Sequence, residues 1–144
     1  MSSRLPSEEA PSGSSRGQKA AQSESVSRRE TLLREARRLL AARAYDEVIR
    51  KLEVHQPAEW SAVDEIGARL IRLIGQARMG QNDFSDARDA FEHLRSLQQE
   101  KPLLSKRDFV ATLTDLGTCY RELGLNELAE QCQREAHRWL QSEE

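Results

Sequence analysis

Residues 113–140 read LTDLGTCYRELGLNELAEQCQREAHRWL, and this stretch decides the fold class. Its apolar residues Leu113, Leu116 and Tyr120 recur at intervals of three and four, the spacing that places side chains on one face of an α-helix. Gly124, a poor helix former, then breaks the pattern, and a second helical stretch follows it. The stretch therefore predicts two helices joined by a tight turn.

The same arrangement of two helices and a turn is predicted twice more upstream. Capping boxes begin at Ser27, Ser61 and Ser105, where Ser is followed three residues later by Glu or Asp, and such boxes start helices. Pro57 and Pro102 mark the connections between hairpins. The other apolar positions predicted to face the core at helical spacing are Leu32, Leu33, Ala36, Leu39, Leu40, Tyr45, Val48, Ile49, Leu52, Val63, Ile66, Leu70, Ile71, Leu73, Ile74, Phe84, Ala87, Phe91, Leu94, Leu97 and Phe109.

The composition favours an all-α domain. Only 7 Gly and 4 Pro occur in 144 residues, too few for the many turns of a β-sandwich or barrel. The formal net charge of −2 gives no general affinity for nucleic acid or for a membrane surface. No run approaches the ~18 consecutive apolar residues of a membrane span, and no secretory apolar core is present. We therefore expect a cytoplasmic protein, with the nucleus as an alternative.

The first 26 residues differ in composition from the rest of the chain. They are rich in Ser, Gly, Pro and charged residues and contain no aromatic residue. Such a segment buries too little apolar surface to offset the entropy lost on ordering. We predict a disordered Ser-rich tail at 1–26 and a helical domain at 27–144.

The last hairpin follows the pattern Leu113-x-x-Leu116-Gly117-x-x-Tyr120, with Ala129 and Ala136 as small residues in its second helix. The middle pair matches in register with Ile71-x-x-Ile74-Gly75 and Ala87-x-x-x-Phe91, and the first pair matches more weakly with Leu32-x-x-Glu35-Ala36. This pattern resembles the tetratricopeptide repeat. The resemblance implies an α-α superhelix, a right-handed solenoid of three helical hairpins.

The sequence also departs from the tetratricopeptide pattern. Ala36, Gly75 and Gly117 stand at corresponding positions but are 39 and 42 residues apart, whereas the usual period of the family is ~34. Arg78 stands where the motif prefers an aromatic residue, and Gln133 where it prefers Phe. An ordinary six-helix bundle with a chance similarity to the motif therefore stays open as the alternative.

The sequence contains no pattern for catalysis, a metal or a cofactor. His55, His93 and His137 are tens of residues apart and lack the spacing of metal ligands. Cys119 and Cys132 lie within helical stretches and are expected to be reduced, packed thiols. Gly75, Gly80, Gly117 and Gly124 lie within or between helices rather than in a phosphate-binding loop. We predict a protein that is not an enzyme and uses no cofactor or metal.

Binding to another protein is the function that the resemblance implies. In this family the first helix of each hairpin lines a concave groove that holds an extended peptide or a partner helix. Carried over by register, the groove candidates are Leu33, Arg37, Leu40, Arg69, Arg72, Gln76, Met79, Ala111, Thr114, Thr118 and Arg121. Four of them are arginines, which recognise carboxylates well, so an acidic peptide or helix is the expected partner. The alternative is that these arginines are only the solvated side of three helices.

The C-terminal end of the stack is a second candidate surface. Its last helix carries more apolar residues than one buried stripe absorbs, and a repeat array normally ends in a polar capping helix. Leu128, Trp139 and Leu140 are the candidates for contact with a partner or with a second copy of the chain. The alternative is that Trp139 folds back over the seam between hairpins and closes the core.

Three functional hypotheses follow from these patterns. The leading one is an adaptor or scaffold module that binds a partner protein through the groove or the end of the stack. The second is a small chaperone dedicated to a secreted or assembling partner protein. The third, a helical-repeat RNA binder, is disfavoured by the net charge, and we expect no nucleic-acid partner.

Overall fold

Six helices account for the regular structure of residues 10–53 and 63–142, the part of the chain that the computed structural model describes. They are α1 (Ala10–Ala41), α2 (Tyr45–Glu53), α3 (Glu65–Gly80), α4 (Phe84–Glu100), α5 (Lys106–Glu122) and α6 (Asn126–Gln141). No strand occurs within these ranges. The predicted all-α fold class is confirmed.

The three hairpin turns share one hydrogen-bond pattern at corresponding positions. One residue in each turn has a positive φ, namely Arg43 (63°), Asn82 (63°) and Gly124 (81°). The N–H of the following residue donates to a carbonyl five residues earlier, and the pairs are Ala44 to Leu39 (2.9 Å), Asp83 to Arg78 (2.8 Å) and Leu125 to Tyr120 (2.7 Å). This bond belongs to the Schellman motif that closes helix C-termini. The three left-handed residues have the same spacing as positions 36, 75 and 117, so the hairpins repeat one another in structure.

The hairpins stack in a row, and each new hairpin enters beside the previous one. α3 packs against both α1 and α2, whereas α5 packs mainly against α4 and touches α3. α1, α3 and α5 therefore form one layer of the stack. Within the described ranges the backbones of α2, α4 and α6 do not approach one another within 8 Å. The row is consequently tighter on the side of the first helices, which makes that side the concave one.

Two clusters of buried apolar side chains hold this arrangement together. One lies between α1, α2 and α3, and the other joins α3, α4, α5 and α6. Most of the predicted core residues are buried, and the exceptions lie half-buried at the cluster edges. These exceptions are Leu32, Leu39, Leu40, Tyr45, Ile66, Phe84 and Leu97.

The first helix begins earlier than predicted. α1 starts at Ala10, and Ser27 lies inside it, where its carbonyl accepts a hydrogen bond from the hydroxyl of Thr31 (3.1 Å). Residues 18–22 are good helix formers, and extending an existing helix adds hydrogen bonds without a new nucleus. Among the described side chains of α1, the first buried one is Leu33. Residues 1–9, the rest of the predicted tail, lie outside the described residues.

The start of α3 also differs from the prediction. The N-cap is Asp64 rather than Ser61, and the Asp64 carboxylate accepts a hydrogen bond from the N–H of Gly67 (2.8 Å). The same carboxylate pairs with the guanidinium of Arg29 on α1, at 3.0 and 2.6 Å. An aspartate that caps a helix and also binds an arginine is a stronger start signal than the box read from Ser61. Ser61 itself lies outside the described residues, as does Pro57.

Replacing Asp64 with Ala is expected to destabilise the domain by about 1 kcal/mol, because the helix loses its cap. Asp64→Asn keeps a side chain that caps equally well and loses only the partly exposed ion pair, worth about 0–1 kcal/mol. The hydrogen bond from Arg29 lowers the pKa of Asp64 below its ordinary value. The ion pair therefore stabilises the fold above the ordinary aspartate pKa, and this contribution is lost as the pH falls through the lowered pKa.

Urea unfolding of the wild type and both Asp64 variants, near neutral pH and in acid, checks this prediction. We expect the difference between the wild type and Asp64→Asn to shrink in acid. A difference that is the same at both pH values would contradict the role given to the ion pair.

Candidate interaction surfaces

Arg72 lies where α3 meets α5 and contacts three side chains. Its Nε donates to Thr112 Oγ1 (3.0 Å), its Nη1 donates to Gln76 Oε1 (3.4 Å), and its Nη2 is 3.7 Å from Asp115 Oδ2. Thr112 is fully buried and donates its own hydroxyl hydrogen to the carbonyl of Asp108 (2.8 Å). Arg72, predicted to recognise an acidic partner, thus has a carboxylate partner within the molecule.

The ion pair between Arg72 and Asp115 is partly buried, which affects the pKa of the aspartate. Burial raises the pKa of Asp115, and the nearby Arg72 guanidinium opposes this effect only in part. The separation of 3.7 Å is too long for a strong hydrogen bond. The pair joins α3 to α5 and leaves the concave side less positive than the count of arginines implies.

A shallow hollow of ≈ 360 Å³ lies on α1 and α3, and only some of their other groove candidates line it. The hollow is lined by Leu40, Tyr45, Gln76, Met79, Gly80 and Asp115. Arg37 is exposed and Arg69 is half-buried, and neither lines the hollow. Leu33 is buried in the core, so its assignment to the groove is wrong. The structure therefore brings together Leu40, Gln76 and Met79, with Arg72 bonded to Gln76, whereas Arg37 and Arg69 lie outside this group.

Three of the α5 groove candidates, Thr114, Thr118 and Arg121, line a separate open groove between α5 and α6, of ≈ 840 Å³, whereas Ala111 is half-buried and lies outside it. Its lining consists of Thr114, Gly117, Thr118, Arg121, Glu130, Gln133, Arg134, Ala136, His137, Arg138 and Leu140. We call this surface the terminal groove. Buried Gly117 and Ala136 form its floor, and the charged side chains form its rim. The single concave groove predicted from the sequence is therefore two surfaces.

The end-of-stack candidates lie on two different edges of α6. Successive residues of an α-helix are rotated by about 100°. Counted from the buried Cys132, this rotation places Leu140 on the edge facing the terminal groove and places Leu128 and Trp139 on the opposite edge. The second edge also carries Glu135, which pairs with α4. Only Leu140 therefore belongs to the terminal groove.

Trp139 packs back onto the core but remains partly exposed. Its ring meets that of the buried Phe109 edge to face, with centroids 5.4 Å apart and an interplanar angle of 87°. The Trp139 residue is still 37% exposed. The contact joins the end of α6 to the start of α5 within one hairpin, rather than closing a seam between hairpins. Trp139 therefore packs against the core and also exposes apolar surface.

The last hairpin is fastened to α4 by polar contacts. Glu135 on α6 pairs with Arg95 on α4 at 2.6 Å, and only 14% of its side chain is exposed. The buried Tyr120 of α5 donates its hydroxyl hydrogen to Glu92 of α4. Burial raises the pKa of Tyr120, and the bond to Glu92 adds to this effect, so the phenol stays protonated. These contacts fix the orientation of α5 and α6, and with them the walls of the terminal groove.

Neither of the two buried cysteines among the described residues offers a reactive thiol at these surfaces. Burial raises the pKa of the Cys119 thiol to about 12 and also raises that of Cys132. Thiols with raised pKa values are protonated and weakly nucleophilic. Within the described ranges no group of three or more His, Cys, Asp or Glu is arranged to hold a metal ion. In the same part of the chain, none of the helices has the length and apolar character needed to cross a membrane.

The sequence interpretation missed the α6 side of the terminal groove. Gln133, Arg134 and His137 are polar and exposed, and no motif in the sequence marks them as lining a groove. The signal that identifies them is the repeat register, because Gln133 corresponds to Phe91 of the preceding hairpin. When a position holds a buried apolar residue in one repeat and an exposed polar residue in the next, the element that packs over it in the first repeat is not there among the described residues of the second.

Comparison with known proteins gives no match: no family model, no curated protein and no solved structure is similar to the chain. The internal repetition of the hairpins and the surfaces they leave open are the features of the molecule that bear on its function.

Proposed function

We propose that this chain is a non-catalytic protein-interaction module, a small tetratricopeptide-like adaptor or scaffold that binds its partner on the last hairpin. Two features support the family resemblance. The hairpin turns repeat at the spacing of the small residues, and the first helices of the hairpins share one side of the stack. Stacked helical repeats commonly serve as binding surfaces for other proteins.

The distribution of exposed apolar side chains is the observation that carries the proposal. Among the described residues, the large apolar side chains that are more than a third exposed are Val26, Leu123, Leu125, Leu128, Trp139 and Leu140. All of these except Val26 belong to the last hairpin, and Leu140 is 62% exposed. These side chains of the last hairpin lie on two edges of α6 and at the turn before it, and their concentration on a single hairpin favours a protein-binding site there, whereas singly scattered ones do not. The binding surface is therefore assigned to α5 and α6.

The concave side of α1 and α3 is the weaker candidate for the partner. Arg72 is engaged with Asp115 and Thr112, and the hollow beside it is small. An acidic partner binding there would have to compete with contacts inside the protein. A partner that binds at Leu140 on the last hairpin would not have to compete with such contacts.

Replacing Leu140 with Glu is expected to remove the partner without unfolding the domain. The side chain is mostly exposed, so the free energy of unfolding should change by no more than about 0.5 kcal/mol. Tagged full-length wild type and variants are purified from the cells of the source organism, and the captured proteins are quantified by mass spectrometry. We expect a protein that the wild type retains and Leu140→Glu loses.

Val26→Glu is the matched control, because it places the same charge on an exposed apolar residue of α1. Leu128→Glu adds a test of the opposite edge of α6. Circular dichroism confirms that each variant is folded. If all three variants retain every protein that the wild type retains, the last hairpin is not the binding surface.

A further inference from the structure

The terminal groove occupies a position that is filled by a helix in the two preceding hairpins. α3 packs against α1 and α2, and α5 packs against α3 and α4. A shift of 42 residues carries Gly75, Phe91 and Leu94 of the second hairpin onto positions 117, 133 and 136 of the third. The corresponding surface of the last hairpin therefore has the position and form of a helix acceptor. Within the described residues no helix lies there.

Gly117, in the floor of the terminal groove, is packed less tightly against its partner helix than Gly75 is in the preceding hairpin. A Cβ added at Gly117 would meet its nearest neighbours, Ala129 O and Cys132 Cβ, only at 3.5 Å, which is ordinary contact. In the preceding hairpin Phe91 is fully buried in the cluster that includes apolar residues of α5. Its counterpart Gln133 is exposed. A polar residue at this position suits a surface that is covered by a separate, dissociable partner rather than by the permanent core.

Leu140 has a counterpart that fastens the incoming helix in the preceding hairpin. Gln98 holds the connection to α5, since its Oε1 accepts from the N–H groups of Leu103 (3.0 Å) and Leu104 (2.9 Å) and its Nε2 donates to the Leu104 carbonyl (2.9 Å). The same shift of 42 residues carries Gln98 onto Leu140, which is 62% exposed. The polar side chain that binds the connection to the next helix in the second hairpin is thus replaced by an exposed apolar side chain in the third. Such a side chain fits the apolar stripe of a helix from another molecule.

The rim of the terminal groove is mainly basic. Arg121, Arg134 and Arg138 line it, against a single carboxylate at Glu130. None of the three arginines forms an ion pair with another described residue. At the preceding interface the entering helix brings a carboxylate, Asp115, to an arginine of the acceptor hairpin. The same complementarity at the terminal groove requires an acidic helix.

We propose that the terminal groove binds an acidic amphipathic helix of a partner protein, which takes the place that the first helix of a further hairpin would occupy. The inference rests on the proposed function and names the chemistry of the partner. The apolar stripe of this helix covers Gly117, Ala136 and Leu140, and its carboxylates pair with the arginines of the rim. A second copy of this chain is a poorer match through the first half of α1, whose sequence carries Arg16 and Lys19 against Glu24.

Selection of binders from a random library of displayed peptides, long enough to form several helical turns, tests the proposal on the full-length protein. We expect the enriched peptides to carry apolar residues at helical spacing, flanked by Asp and Glu. Their affinity should fall about tenfold or more for the double variant Arg121→Glu with Arg134→Glu, since like charges then face each other. Arg37→Glu with Arg38→Glu, which reverses two exposed arginines of α1 outside the groove, is the matched control and should leave the affinity unchanged.

Three results would overturn the inference while leaving the proposed function intact. The enriched peptides could lack acidic residues, or they could bind the double variant as tightly as the wild type. A wild-type dimer in sedimentation velocity that the double variant dissociates would assign the groove to a second copy instead. In each case the Leu140-dependent capture of a partner could still hold. The proposed function fails separately, if neither a displayed peptide nor a cellular protein binds the last hairpin.

Discussion

Replacing Gly75 with Ala is expected to destabilise the domain, whereas the same change at Gly117 is not. A Cβ on Gly75 would lie 2.6 Å from Cε1 and 2.7 Å from Cζ of Phe91, distances that packed atoms do not tolerate. Phe91 has no exposed surface, so its ring can move only by displacing the core around it. We expect an overpacking loss of about 1–3 kcal/mol, offset in part by the better helix propensity of Ala, about 1 kcal/mol.

Gly117 stands at the corresponding position of the last hairpin and is the matched control. Its added Cβ would have neighbours at 3.5 Å, so Ala is accommodated and the free energy of unfolding should rise by up to about 1 kcal/mol. Urea unfolding of both variants beside the wild type measures the two effects. Opposite signs are expected. Equal stabilities for Gly75→Ala and the wild type would mean that α3 and α4 cross less closely than described.

Ala87→Leu is expected to have the second large effect. Ala87 lies on α4 with no exposed surface, inside the cluster that joins α3 to α6. A leucine there has no free volume to fill, and the rearrangement costs about 1–3 kcal/mol or more. Ala41→Leu makes the same change on the exposed last residue of α1 and should stay within about 0.5 kcal/mol of the wild type.

Thermal unfolding of the two alanine variants, together with binding of a dye that reports exposed apolar surface, checks this prediction. Ala87→Leu should melt lower and bind more dye than Ala41→Leu. If the two variants melt together, the small residues do not mark the helix crossings, and the repeat register proposed from the sequence is wrong.

Local patterns in the sequence were sufficient for most of the fold. Gly124 was predicted to interrupt the helix, and it sits in the turn with φ of 81°. The capping box at Ser105 predicted a helix start, and Ser105 Oγ accepts from the N–H of Asp108 at 3.1 Å. The apolar spacing of Leu113 and Leu116 predicted buried positions, and both are fully buried. These features depend on residues that are close in sequence, which is why the pattern identifies them.

The candidate site was predicted less completely, because it depends on residues that are distant in sequence. Arg72 and Asp115 are held together by the packing of α5 on α3, which no spacing rule shows. Without that contact Arg72 looks like a free arginine of a binding groove. Thr118 lines the terminal groove, but its companions on α6 were not recognised, because the groove exists only once α5 and α6 are packed.

Hydrogen–deuterium exchange of the protein, alone and with the partner that depends on Leu140, tests the central claim most directly. The claim is that the partner lies on the last hairpin and covers the terminal groove. Exchange should slow at residues 114–121 of α5 and 133–140 of α6, because a bound helix restricts local opening of both walls. It should stay unchanged along the exposed side of α1 around Arg37. Protection confined to α1 and α3, with residues 133–140 exchanging as in the free protein, would contradict the account.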